Sequence, residues 1–420
     1  MRKMKHFLLL AITTFAFELF ATDWPQYRGP NHDGSTPEKI SLKWPTEGPR
    51  QVWKAELGYS FGSFAVAGGK AFCFIQRKVD GQDREVAVAL DANSGKELWA
   101  SPVGQPTYDK QGGDGPRSTP TVSGGFVYLL GAYQVLSCLD ANTGKEIWQR
   151  DLVKEFGGTV IRWNHAASPV LDGDLIFVNA GGDGQAFLAF NKKDGKLAWK
   201  GGSDKPTHAS PVPATILGVR QVIFFTQSGL VSVSTQDGKI LWRHPFPYTT
   251  STASDPIVWN DIVYCSAGYG VGGGACQITK TGNDFSAKEL WRHKGGTVNH
   301  WTTPVGKDGY LYGIFGFKDF GKAPLNCVDI STGKEIWSQP GFGSGGGTIL
   351  VGGTHVLVQS DKGPLVLVEA TPKGYNELAR AQPLGGKCWT MAVVSGGRIF
   401  ARNTKEGVCL DVAPQIAAQK

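Results

Sequence analysis

Apolar residues fall along this chain in short β-rich runs, each closed by a cluster of Gly, Asn or Asp. In one stretch Ser118, Thr119 and Pro120 open a short strand and Gly124 and Gly125 turn the chain. Phe126 to Leu130 and Val135 to Leu139 then form two further strands, and after a turn at Asn142 to Gly144 a fourth begins with Glu146, Ile147 and Trp148. Apolar runs this short between tight turns predict strands, with no long helical periodicity beside them. The last turn of the unit carries a phrase that recurs along the chain: small, apolar, Asp, a polar turn, Gly, Lys, a variable pair, Trp.

The phrase reads ALDANSGKELW to Trp99, CLDANTGKEIW to Trp148, AFNKKDGKLAW to Trp199, SVSTQDGKILW to Trp242 and CVDISTGKEIW to Trp337. Looser copies end at Trp53 and Trp291, and an eroded one puts Ala379 where Trp would fall. The anchors are 42 to 51 residues apart. Repetition at that period means one supersecondary unit used over and over. A unit of four strands predicts an all-β, eight-bladed β-propeller with four-stranded antiparallel blades. The stretch from Lys387 to Val412 supplies three strands, while Gln51 to Leu57 is a Trp strand with nothing before it. An N-terminal strand therefore closes the last blade and removes a free edge.

Within the phrase, Gly95, Gly144, Gly195, Gly238 and Gly333 serve tight hairpins that need positive φ. Trp53, Trp99, Trp148, Trp199, Trp242, Trp291 and Trp337 are expected on outer strands, packed between blades as core and not as cofactor platforms. Repeats also explain how 420 residues form one propeller, because each blade packs only on its neighbours. The 57 glycines suit a fold made of turns.

Residues 1–21 have the charged start (Arg2, Lys3, Lys5), apolar core (Phe7 to Phe17) and small final residue (Ala21) of a secretory signal. The expected organisation is signal peptide 1–21, leader 22–49, propeller 50–412 and tail 413–420. The product is expected outside the cytoplasm, periplasmic or secreted, with no membrane span and, lacking a Cys before Cys73, no lipid anchor. Loss of the three basic residues and Glu18 takes the formal charge from +7 to +5. Spread around a rim, that charge gives no nucleic-acid stripe, and a monomer is expected.

Seven cysteines in an exported chain invite a search for disulfides. Cys138, Cys327 and Cys409 occupy the position that Ala89, Ala189 and Ser232 fill elsewhere, which makes them small core residues on separate blades. Cys265 and Cys276 lie on what should be adjacent strands joined by GYGVGGG, so a hairpin disulfide is open there. No CxxCH motif is present.

The loops that precede each unit's first strand should face the central funnel. They carry Tyr59 and Ser60, Arg117, Asn164 and His165, His208, Ser251 and Thr252, Asn299, His300 and Trp301, Ser344, and Lys387 with Trp389. Tyr59, Arg117, Asn164, His165, His208, Asn299, His300, Trp301, Lys387 and Trp389 are the candidates for binding a protein partner or small ligand. No metal site is expected. His165 and His300 belong to blades three apart, and Asp255 is the best acid among few.

The repeat phrase, with the strand openings Ser168–Pro169 and Ser210–Pro211, resembles the pyrroloquinoline-quinone-like (PQQ-like) propeller repeat family. The segment DWPQYRGPNHDG, from Asp23 to Gly34, looks like a leader found before exported propellers of this type. The resemblance implies one of two roles. The BamB-type branch is a cofactor-free scaffold; the quinoprotein dehydrogenases hold quinone and calcium in the funnel and oxidise alcohols or sugars. This chain has no adjacent Cys pair, and no carboxylate and amide set can be matched to its funnel loops, so no catalytic residue is assigned. A non-catalytic exported binding module with no cofactor is the expected function. The alternatives are a PQQ- and calcium-dependent dehydrogenase, and a carbohydrate-binding propeller using Trp301, Trp389 and Tyr59.

Overall fold

The computed structural model describes residues 22–250 and 252–414, so the expected signal peptide and most of the tail lie outside the described residues. Eight antiparallel sheets follow one another around a ring. Blade 1 consists of Ala65–Ala67, Lys70–Val79, Gln82–Asp91 and Glu97–Gly104. Blades 2 to 7 repeat this order over 121–151, 170–201, 212–245, 257–293, 305–339 and 347–381. Blade 8 takes three strands from 393–411 and its fourth, Gln51–Glu56, from the other end of the propeller, with Trp53 opposite Cys409. The ring closes as the sequence predicts, and both edges of the seam are paired.

Core packing sits chiefly between blades. One buried cluster joins blades 2 and 3 through Leu136, Trp148, Ile176 and Phe190; another joins blades 3 and 4 through Phe177, Trp199, Phe224 and Val231. Of the repeat tryptophans, Trp53, Trp148, Trp199, Trp242 and Trp291 are buried and Trp99 and Trp337 half-buried. Six of them donate the indole N–H to a carbonyl of the following blade's turn: Trp53 to Ala92, Trp99 to Ala141, Trp148 to Lys192, Trp199 to Thr235, Trp291 to Ile330 and Trp337 to Thr371. Trp242 is the exception and donates to Gln221 Oε1 of its own blade at 2.6 Å. Blade 5 differs at this point, because its outer hairpin runs on to the Thr281–Asp284 pair and turns at Gly282.

The residue directly across the sheet from each Trp is small: Ala89, Cys138, Ala189, Ser232, Ala275, Cys327 or Cys409. A bulky indole needs a small cross-strand neighbour, which is why these cysteines behave as alanine equivalents. All seven cysteines are free and buried. The open question of a hairpin disulfide is answered by register: Cys265 pairs with Gly274 and Cys276 with Val263, so the two thiols are not cross-strand partners.

The leader runs across one mouth of the ring. Trp24, fully buried, bridges Val66 of blade 1, and Pro25 O accepts from Val122 N of blade 2 at 2.8 Å. Arg28 reaches the opposite side, donating to Pro304 O at 2.8 Å and Thr348 O at 3.4 Å in blades 6 and 7. Ser35–Thr36 then adds a parallel strand to Leu350–Val351 on the inner edge of blade 7. The three leader aromatics Trp24, Tyr27 and Trp44 all join the large core cluster of blades 7, 8 and 1.

Candidate functional site

Blades 1 to 6 begin with a polar residue before a proline or its equivalent, and these residues are linked blade to blade around the axis. Ser63 N donates to Thr119 Oγ1, Thr119 N to Ser168 Oγ, Ser168 N to Ser210 Oγ, Ser210 N to Asp255 Oδ1, and Asp255 N to Thr303 Oγ1, at 2.7 to 3.0 Å. Thr348 Oγ1 continues the girdle to Thr303 O at 3.3 Å. Proline at the next position has no N–H of its own, so each step uses the preceding amide and the neighbour's side chain. In blade 5 the hydroxyl position is taken by Asp255. Its Oδ2 is buried without a hydrogen-bond partner, and burial pushes its pKa up to about 7 against the pull of the Arg28 charge. Asp255 therefore belongs to the girdle and is not placed as a metal ligand.

Above this girdle lies a cavity of about 380 Å³, with Tyr27 of the leader, Ser168 and Ser210 among its walls. Of the ten predicted residues, Arg117, His208, His300, Trp301 and Trp389 line it. Lys387 stands beside it, its Nζ 3.8 Å from the Trp389 ring centre and 5.0 Å from that of Phe61, donating to Gly112 O at 3.0 Å. Burial and the nearby Arg117 charge both lower the Lys387 pKa.

The other four do not line the cavity. Tyr59 is exposed, with Lys405 Nζ 5.0 Å over its ring. Asn164 is half-buried in a positive-φ turn after Trp163. His165 is buried with neither ring nitrogen hydrogen-bonded, and burial lowers its pKa to about 4. Asn299 braces its own loop: its Oδ1 accepts from Tyr264 Oη at 2.7 Å and its Nδ2 donates to Ile314 O at 2.6 Å. Of the other residues named in these loops, Ser251 lies outside the described residues and Thr252 is buried, donating to Ser266 O.

An aromatic belt, all of whose rings but Phe317 line the cavity, forms much of its wall. Trp163 stacks with Tyr269 (6.3 Å between ring centres, 17° between planes), Tyr269 meets Phe317 at 4.5 Å, and Phe317 meets Trp301 at 5.3 Å. Trp301 and Trp389 stack at 5.0 Å, Phe320 stacks on both at 5.6 Å, and Phe61 follows Trp389 at 5.8 Å. Cations rest on these rings. Arg162 lies over Trp163, Lys318 over Tyr269 and Phe317, and Arg117 with Lys387 over Phe61. Arg117 is held by Asp109 at 3.2 Å and by the carbonyls of Gly113 and Gly115. Lys318 and Lys387 have no carboxylate within 4 Å among the described residues. His300 is driven to its neutral form, its pKa lowered to about 3 by burial and then by Lys318. His208 falls likewise to about 3, by burial first and then by His165, Arg117 and His300.

Tyr269, Phe317, Lys318 and Phe320 were not among the sequence candidates. They lie between the second and third strands of blades 5 and 6, at 268–271 and 315–324. In an up-and-down blade that connection emerges at the same end as the loop before the first strand, so both sets face the funnel. The length of FGFKDFGKAP, where other blades have a tight turn, was the available signal. Trp163 and Phe61 sat one or two places from residues already singled out.

The ring of eight four-stranded blades defines a β-propeller. A family model described as outer membrane protein assembly factor BamB matches residues 82–314 and 283–374, and the chain belongs to that family. No curated protein sequence matches it significantly. Among solved structures it is similar to quinohemoprotein alcohol dehydrogenase from Comamonas testosteroni (TM-score 0.64, 12% identity, 95% of this chain and 82% of that one). It is also similar to BamB from Moraxella catarrhalis (TM-score 0.57, 15% identity, 88% and 99%) and to the computationally designed Ika8 protein (0.57, 13%, 89% and 100%). At such identities these likenesses concern the fold alone.

Proposed function

We propose that this protein is an exported, monomeric binding module that holds a protein partner or small ligand at its funnel face and catalyses no reaction there. The observation that carries this reading is the composition of the cavity wall: stacked rings and unpaired cations, with the neighbouring carboxylates already committed. Asp109 is engaged by Arg117, and Asp255 is built into the girdle beneath. Among the described residues no Asp or Glu lines the cavity to serve as a general base, and the two histidines of its wall, His208 half-buried and His300 buried, have pKa values well below their usual range. No helix among the described residues is long and apolar enough to cross a membrane. Export rests on the charged and apolar pattern of residues 1–21.

The alternative role, a quinoprotein dehydrogenase, needs oxygen ligands converging on calcium beneath a quinone. The cavity wall, without Asp or Glu among the described residues, carries the cations Arg117 and Lys318 instead. That lining argues against a calcium-bound quinone, and no step is derived through it. The test is a titration of mature protein with pyrroloquinoline quinone and calcium, following tryptophan fluorescence, with dye reduction by ethanol or glucose measured in the same tube. The expected result is no turnover; quinone-dependent dye reduction abolished by chelating calcium would overturn the reading.

A further inference from the structure

Building on the reading of the funnel as a binding face, we propose that its ligand is an acidic oligosaccharide, a sugar chain bearing carboxylate or sulfate groups. It would lie along the aromatic belt with acidic groups against Lys387 and Lys318.

The geometry of the rings is the first argument. From Trp163 through Tyr269, Phe317, Trp301 and Trp389 to Phe61, successive ring centres are 4.5 to 6.3 Å apart. They come from loops of blades 3, 5, 6, 8 and 1, and all but Phe317, which packs on Tyr269 and Trp301, line the cavity, so a ligand there meets Trp163, Tyr269, Trp301, Trp389 and Phe61 along one wall. Trp301, Trp389 and Phe320 lie within 10° to 26° of parallel and form a stepped terrace. Such flat apolar steps suit the C–H faces of consecutive pyranose rings.

Charge is the second, independent argument. Lys387 stands on Trp389, at one end of the terrace, and Lys318 stands over Phe317, which packs on Trp301 at the other. Neither has a carboxylate within 4 Å among the described residues, and Lys387 shares the Phe61 ring with a second cation, Arg117. An anion placed there would relieve crowding of like charges and strengthen complementarity. Two separated cations flanking a terrace match an acidic group on some sugars of a chain. They do not match a charge at every step, as in a nucleic acid.

Polar chemistry is the third. His300 Nδ1 accepts the Gly268 amide at 3.0 Å, which leaves Nε2 carrying the proton of the neutral ring and available to a ligand hydroxyl.

The experiment is a tryptophan-fluorescence and calorimetric titration of full-length mature protein at physiological salt. The probes are oligogalacturonate, a heparin-derived hexasaccharide, cellohexaose, polyglutamate and oligothymidylate. The expected result is saturable binding of one or both acidic sugars, with cellohexaose, polyglutamate and oligothymidylate weaker by about ten-fold or more. The two acidic probes separate carboxylate from sulfate recognition. Lys387→Met and Trp389→Ala should each weaken binding by about ten-fold. Lys318→Met, at an exposed position, gives a variant whose folding is not at stake. Equal binding of all polyanions, equal binding of cellohexaose, no binding of either acidic sugar, or no effect of the three substitutions would overturn the proposal. Such a failure would leave the binding-module reading in place, since that reading falls only with quinone-dependent turnover.

Discussion

Gly195 of blade 3 lies flat against the indole of Trp148 of blade 2, so closely that a Cβ built on it would come within 2.6 Å of the ring. The same contact recurs between Gly95 and Trp53, Gly144 and Trp99, Gly238 and Trp199, and Gly333 and Trp291. In each pair the Trp N–H donates to the turn that carries the Gly. The glycine of one repeat and the tryptophan of the one before thus form a single inter-blade joint. The repeat phrase couples neighbours as well as shaping a hairpin.

Gly195→Ala should therefore cost more than its backbone conformation alone requires. Positive φ and overpacking together predict a loss of about 2 to 4 kcal/mol. Gly282→Ala is the control, since Gly282 has a similar φ of +62° but nothing within 4 Å of its would-be Cβ. Thermal melts should show the first variant clearly less stable than the second; equal losses would mean that the Trp contact contributes nothing.

Trp148→Ala removes the other half of the joint and opens a cavity between blades 2 and 3. The expected cost is about 3 to 5 kcal/mol. An unchanged melting temperature would contradict the inter-blade placement.

At Trp242 the hydrogen bond stays within the blade, so the variant to make is Gln221→Met. It deprives both the indole N–H and Ser232 Oγ of their acceptor. Leaving buried donors unsatisfied should cost about 1 to 3 kcal/mol. The outcome is read as a lower denaturation midpoint with the funnel variants' binding behaviour unchanged.

Asp255 makes stability depend on pH. Its folded pKa of about 7 lies above the ordinary 3.8, so the folded state holds the proton more tightly and the charged group destabilises as pH rises from about 4 to 7. Asp255→Asn should melt higher than wild type at pH 8, with the difference vanishing near pH 4. His165 and His300 act in the opposite sense, because their lowered pKa values make stability fall as pH drops below 6.5. For that reason the difference between variant and wild type, not the wild-type profile, is the measurement.

Arg28→Met should destabilise the ring at its leader-covered mouth, because Pro304 O loses its Arg28 donor and the opposing positive charge beside Asp255 is lost. Combined with Asp255→Asn, the loss should be smaller than in Arg28→Met alone at pH 8. Additive effects in the double variant would mean that the two side chains are not coupled.

The candidate site was legible only in part. Histidines and tryptophans before the first strands of blades 3, 4, 6 and 8 pointed to the funnel, and Arg117, His208, His300, Trp301 and Trp389 do meet there. Asn299 and His165 share the same loops but turn into packing, since a residue's place in a repeat does not say which way its side chain goes. Tyr269, Phe317 and Phe320 escaped because they arrive from a second set of loops, and only folding shows that both sets open on the same end.

What the sequence by itself determined is the repeated part of the molecule: blade number, strand order, the closing strand, the buried tryptophans and the small residues opposite them. These follow from local periodicity and turn chemistry copied eight times, so each copy corroborates the others. The girdle through Asp255, the leader lying across the axis and the charged aromatic belt were decided by the tertiary structure alone. They join residues from different blades whose neighbourhood exists only once the ring has closed.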